Sequence, residues 1–158
     1  ARLPEVRPEK ASVNLILENT LHLYDGRIQD VAVRKELDPG IPDLLLDPEQ
    51  MKRVFINLLD NALEAMARNP DDKVLCLRTA RDEARRTVHV EIADNGRGFP
   101  EEYRNNLFLP YFSTRRGGTG LGLAIVRQIV ADHSGNVRVE PNVPAGSRII
   151  LDLPCPAA

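Results

Sequence analysis

Tryptophan is absent from this sequence, and the remaining aromatics, three tyrosines and four phenylalanines, make up only 4% of it. Its two cysteines, Cys76 and Cys155, lie far apart, one in an apolar alternating run and one in a proline-rich tail. That spacing excludes a disulfide framework and a metal knuckle, and it fits a reducing, cytosolic compartment. No stretch of about 18 uncharged apolar residues occurs, so no membrane-spanning helix is expected. Charge of one sign is also missing: 21 basic against 23 acidic side chains leave a net charge of −2. Nothing in that balance calls for a nucleic-acid partner or direct contact with an acidic membrane. What is present is a chain of 158 residues, 42% hydrophobic and 28% charged, the proportions of one globular domain with a single core. Six of its ten glycines fall between residues 96 and 122. Concentrated in this way, glycine suggests backbone approaching a ligand.

Residues 1–11 carry Pro4 and Pro8 among charges and read as a linker; the opening Ala1-Arg2-Leu3-Pro4 reads as a cut from a longer protein. From Ser12, a capping residue, Val13, Ile16, Leu17, Leu21 and Tyr24 recur at helical spacing up to Gly26. A strand follows at Val31–Leu37. Asp47-Pro48-Glu49 then supplies a cap, a helix-compatible proline and an acidic first turn. The helix it opens carries Met51, Val54, Phe55, Leu58, Leu59, Ala62, Leu63 and Met66 on one apolar face, and Asn69-Pro70 marks its end. Two runs of period two, 74–79 and 88–93, predict a hairpin. After Asp94 about 25 residues rich in Gly, Pro, Arg and Asn precede a helix from about Gly120 to His133, a length that marks a functional loop, here a lid. Strands at 137–140 and 147–153 close the chain. The order predicts an α+β sandwich with helices on one face of a mixed, mostly antiparallel sheet.

Three elements carry chemistry. Asn57 and Asn61, four residues apart, stand about 40° apart around the helix axis at the margin of its apolar stripe. Their carboxamides suit a hard cation such as Mg²⁺, or, more in keeping with an isolated pair, are simply solvated on the helix shoulder. Asp94-Asn95-Gly96-Arg97-Gly98-Phe99 leaves a buried strand; its carboxylate is either an acceptor for an exocyclic amine such as adenine's or the start of an Asx turn. Gly117-Gly118-Thr119-Gly120-Leu121-Gly122-Leu123 runs into a helix, which exposes successive N–H groups suited to phosphate oxygens, or it is a glycine-rich connector. It has neither the Gly-Lys-Ser/Thr of a Walker loop nor a strand leading into it. Between the last two elements Tyr103, Phe108, Tyr111 and Phe112 anchor a lid or a satellite core, with Arg115 and Arg116 either reaching phosphates or solvated.

An N-x-x-x-N helix, a D-x-G-x-G turn, a Phe-rich segment and a G-x-G-x-G helix start, in that order, resemble the ATP-binding catalytic domain of bacterial sensor histidine kinases. That domain shares a superfamily with gyrase-type topoisomerases, MutL-type mismatch-repair ATPases and heat-shock chaperone ATPases. The resemblance covers residues 12–153, and Asn57-Leu-Leu-Asp-Asn61-Ala-Leu-Glu-Ala with Pro110-Tyr111-Phe112-Ser113-Thr114 is most similar to nitrogen-regulation sensors of the NtrB and NtrY kind. It implies a Bergerat ATP-binding fold, a two-layer α/β sandwich with a long ATP lid. It divides the chain into a linker from a dimerisation and phospho-acceptor domain (1–11), the catalytic domain (12–154) and a tail (155–158).

The resemblance further implies that Asn61 binds Mg²⁺ with Asn57 on water or phosphate, that Asp94 pairs with the adenine amine, and that Gly96 and Gly98 shape the base pocket. Gly118, Gly120 and Gly122 would hold phosphates, Thr119 and Leu121 would add backbone contacts, Arg115 and Arg116 would position phosphate, and Phe108 and Phe112 would place the lid. Many such kinases carry a basic residue three positions after the second Asn and an aromatic next to it; here those positions are Glu64 and Ala65. The implied activity is transfer of the γ-phosphoryl group of ATP·Mg²⁺ to a histidine on a separate dimerisation domain of the same protein, for relay to a response-regulator aspartate. None of His22, His89 and His133 has the acidic neighbour and downstream proline of a phospho-acceptor. Three other readings stand beside this one: an anti-sigma-factor-type serine kinase, an ATP-binding regulator without transfer, and a gyrase- or MutL-type ATPase, which would place a glutamate base where Asn57 stands. The expected location is cytoplasmic, free or as the cytoplasmic part of a membrane-bound sensor.

Overall fold

The computed structural model describes residues 5–69, 72–112 and 122–156. Helix α1 (Val13–His22) starts where Ser12 Oγ accepts the Leu15 amide at 3.2 Å, and it buries Val13, Leu17, Thr20 and Leu21. Helix α2 (Pro48–Ala65) is capped by Asp47, whose Oδ1 accepts from the amides of Glu49 at 3.1 Å and Gln50 at 3.2 Å, with Pro48 in the first turn. Its buried face, Met51, Val54, Phe55, Leu58, Leu59 and Ala62, matches the predicted stripe. Helix α3 (Gly122–Asp132) buries Val126, Ile129 and Val130.

These helices cover one face of a five-stranded sheet built from β2 (Val31–Leu37), β4 (Lys73–Asp82), β5 (Thr87–Asp94), β6 (Asn136–Pro141) and β7 (Ser147–Pro154) in the order β2-β4-β5-β7-β6. Strands β2 and β4 are parallel, and the other three pairings are antiparallel. The mixed, mostly antiparallel sheet and one-sided helical layer predicted from the element order are therefore present. Alternation explains which side is covered: Val88, Val90 and Ile92 of β5, with Leu75 and Leu77 of β4 and Leu151 and Leu153 of β7, are all buried in the core. The opposite face is charged. Arg148 pairs with Glu91 and Glu140, Arg138 with Asp152, and His89 with Asp152 and Asp82, a ladder that keeps this side of the sheet in water.

Two short strands lay outside the sequence reading. Glu9–Ala11, predicted as linker, is strand β1 and pairs antiparallel with β3 (Leu44–Leu46), Glu9 opposite Leu46 and Ala11 opposite Leu44. Cys155, predicted as tail, is buried, and its amide donates to Arg86 O at 2.8 Å. The packed unit thus extends beyond the predicted span of 12–154 at both ends. Both cysteines are free. No helix among the described residues is long and apolar enough to cross a membrane.

Candidate functional site

An open cleft lies between the C-terminal half of α2, the loop after β5, the start of α3 and the ends of β6 and β7. Its lining joins Asn61 of α2, Asp94 and Gly98 of the D-x-G-x-G turn, Phe112, and Gly122 at the head of α3. Residues far apart in the sequence, and read there as separate elements, meet at one surface.

Asp94 is the buried charge of this cleft, 6% exposed. Its Oδ1 accepts the Gly96 amide at 2.8 Å and its Oδ2 lies 3.5 Å from the donating Ser147 Oγ. Burial raises its pKa to about 6, against the opposing pull of the Gly96 and Ser147 hydrogen bonds and the nearby Arg97 charge. Of the two readings open in the sequence, the Asx turn is present: Oδ1 closes it on Gly96, while Oδ2 faces Ser147. The β6–β7 turn holds this residue from behind. Asn142 Nδ2 donates to Asp94 O at 2.8 Å, and Gly146, at φ +102°, comes so close that a Cβ there would lie 1.9 Å from Asp94 O. Asn142, Gly146 and Ser147 escaped the sequence reading because they arrive from a Pro/Gly turn about fifty residues downstream with no motif of their own.

The glycines of the turn serve different contacts. A Cβ on Gly96 would sit 2.4 Å from Ala65 O, so Gly96 lets the end of α2 pack directly on the turn. Arg97 N–H donates to the same carbonyl at 3.1 Å, and its guanidinium makes a two-pronged pair with Glu64 at 2.8 and 3.1 Å. This bond ends α2 at Ala65, ahead of the predicted Asn69-Pro70 stop. Asn95 faces away from the cleft: its Oδ1 accepts from Val74 N at 2.9 Å and from Asn69 Nδ2 at 3.1 Å, and its Nδ2 donates to Asp72 O at 2.8 Å. Gly98, at φ +69°, adopts the left-handed conformation that favours glycine and lines the cleft beside Phe99.

Asn61 faces the cleft. Asn57, one turn earlier, packs against the head of α3: a Cβ on Gly122 would lie 3.7 Å from its Oδ1. Its Nδ2 is inaccessible and has no hydrogen-bond partner among the described residues. Arg115, Arg116, Gly118, Thr119, Gly120 and Leu121 lie outside the described residues. Phe112 lines the cleft and meets Tyr103 edge-on, ring centroids 5.5 Å apart, while Phe108 does not reach it. The 3-10 turn Glu101–Asn106 is fastened by Arg104 Nε donating to Val139 O at 3.1 Å.

No cluster of three His, Cys, Asp or Glu among the described residues forms a metal cage. Mg²⁺ nonetheless fits, because it binds through one or two protein oxygens plus substrate phosphates rather than a full protein shell. The Asn61 carboxamide in the cleft suits such a cation, whereas Asn57 is not among the residues that line the cleft. No described histidine lines the cleft.

Residues 46–157 match the histidine kinase-, DNA gyrase B-, and HSP90-like ATPases, which sets the fold and cleft in the class of ATP-binding ATPase domains. Relatives and solved structures agree. The chain is 36% identical over 151 residues to the sensor protein FixL of Bradyrhizobium diazoefficiens, 95% of this chain and 29% of that protein. It is 34% identical over 143 residues to the sensory histidine kinase/phosphatase NtrB of Escherichia coli O157:H7, 86% of this chain and 41% of that one. Among solved structures, the mycobacterial sensor histidine kinase MprB superposes with a TM-score of 0.82 at 26% identity, covering 96% of this chain and all of that one. Histidine kinase ThkA in complex with the response regulator TrrA superposes at 0.81 and 25%, covering 96% and 42%. The chain belongs to the histidine kinase-, DNA gyrase B- and HSP90-like ATPase family. It spans well under half the length of these curated relatives.

Proposed function

We propose that this chain is the catalytic domain of a sensor histidine kinase: it binds ATP·Mg²⁺ and delivers the γ-phosphoryl group to a histidine on a dimerisation domain of the same protein. The phosphoryl group then passes to a response-regulator aspartate, in a cytoplasmic setting. One observation carries this reading: Asn61, Asp94, Gly98 and Gly122, the elements assigned to metal, base and phosphate, line a single cleft. In it the Asp94 carboxylate accepts the adenine amine and Asn61 supplies a neutral oxygen to Mg²⁺, with Asn57 one turn earlier packed against the head of α3. The metal supplies charge neutralisation on the phosphates. Water activation has no support from the residue at position 57, an asparagine rather than a carboxylate base. Two of the chain's own histidines are held in the fold: His133 is buried in hydrogen bonds, and His89 sits between two carboxylates of the sheet, while His22 is exposed on α1.

The test is incubation with γ-labelled ATP·Mg²⁺ and a polypeptide carrying the dimerisation helices of the same protein. Acid-labile, base-stable label on those helices is the expected result. Rapid hydrolysis by the chain alone would make it an ATPase, acid-stable label would make it a serine kinase, and binding without transfer would make it a regulator.

A further inference from the structure

Helix α3 lies close to α2 at both of its ends, and at one of them a hydrogen bond ties the two. At its head, Gly122 lies against Asn57. Just past its tail, His133, 7% exposed, reaches the start of α2: its Nε2 accepts the Asp47 amide at 3.0 Å, and its Nδ1 lies 2.8 Å from Ile129 O. A carbonyl only accepts, so Nδ1 carries the hydrogen and Nε2 is the bare acceptor. Asp47 is the cap of α2, and its carboxylate also takes the amides of Arg7 at 2.9 Å, Glu49 and Gln50. The cap's own amide has no place in the helical pattern and finds its partner in His133.

The two spans between these ends match in length. Asp47 to Asn57 is ten residues and Gly122 to His133 is eleven, about 15 and 17 Å of helix at 1.5 Å per residue. The helices run antiparallel between them. Val126, Ile129 and Val130 supply the apolar contact, but apolar packing is non-directional and fixes which face is buried more firmly than the axial position. The His133–Asp47 bond is directional and lies at the far end of the lever.

We propose that His133 is a positioning residue for the phosphate end of the cleft, holding the head of α3 in register with Asn57 and Asn61 by clamping its tail to the α2 cap. This rests on the reading of the cleft as an ATP site. The side chains available at 133 separate the clamp from general packing. Gln places an acceptor near the position of Nε2; Asn keeps a donor for Ile129 O but falls short of Asp47; Ala removes both.

The experiment measures, for the whole chain and each variant, affinity for ATP·Mg²⁺ and for adenosine, together with the amide NMR resonances of Gly122 and Asn57 without ligand. We expect His133→Asn and His133→Ala to lower the ratio of ATP to adenosine affinity by about tenfold, the scale of one lost buried hydrogen bond. Both should shift the Gly122 resonance, and His133→Gln should restore ratio and resonance together. If the alanine variant does not fold, the Asn and Gln variants carry the comparison. A ratio and a Gly122 resonance unchanged in His133→Asn, or changed equally in His133→Gln, would overturn the proposal. A parent chain that binds neither ligand overturns the ATP reading instead, and the Gly122 shift still decides whether the clamp exists.

Discussion

At the scale of single residues, Asp94 is where stability and binding pull apart. An aspartate ordinarily titrates near 3.8, and burial in this cleft raises the value to about 6. Between those values the folded chain holds a proton that the unfolded chain releases, so stability falls as pH rises through that window and stays low above it. Replacing Asp94 by Asn removes that contribution. The variant should be more stable than the parent at pH 7 by about 3 kcal/mol, with the difference shrinking towards pH 4. Denaturant midpoints at pH 4, 5.5 and 7 measure it, and a constant difference would contradict the account. The same variant should lose adenine-dependent ATP binding; unchanged affinity would mean that the base lies elsewhere. Asn61 gives a second, independent prediction. Asn61→Asp puts a negative charge where phosphates approach, so ATP affinity without Mg²⁺ should drop at least about tenfold and recover in part when Mg²⁺ is added, as read by calorimetry.

At the scale of elements, α2 organises the molecule: one face packs the core, and its C-terminal half lines the cleft. Phe55, fully buried at its centre, should cost about 3–5 kcal/mol when cut to Ala, measured by chemical denaturation. The junction of α2 with the turn after β5 is less forgiving. In Gly96→Ala the new methyl would meet the Ala65 carbonyl, backbone that cannot rotate away. That variant should lose both stability and ATP binding, whereas Gly26→Ala, where a Cβ has open space, should not. This helix also shows what a sequence can and cannot display. Its start was legible because Asp47, Pro48 and Glu49 act within one turn, and its apolar face because the period is local. Its end was not, because the bond that stops it comes from Arg97 on another element. Strands β1 and β3, three residues each, are too short for alternation to show.

At the scale of the whole molecule, the sandwich was readable from element order, while the cleft was readable only in part. Asn61, Asp94 and the glycines stood out as motifs. Their supports did not: Asn142 and Ser147 come from a turn that looks like any other, and the Glu64–Arg97 pair becomes visible only once α2 meets the loop. That pair gives Glu64 and Ala65 a physical account, since one anchors an arginine at the rim and the other carries the carbonyl on which the turn rests. With helices on one face and a charged ladder on the other, the sheet leaves the cleft at one end, where α2, α3 and the β6–β7 turn converge. The central claim is that this opening takes an adenine nucleotide and reads its base through Asp94. Parallel calorimetric titrations of the chain with ATP·Mg²⁺ and GTP·Mg²⁺ test it most directly, because guanine presents a carbonyl oxygen where adenine presents an amine and so faces Asp94 with a second acceptor. ATP should bind at least about tenfold more tightly than GTP, a preference that disappears in Asp94→Asn; equal affinity for the two nucleotides in the parent chain would contradict it.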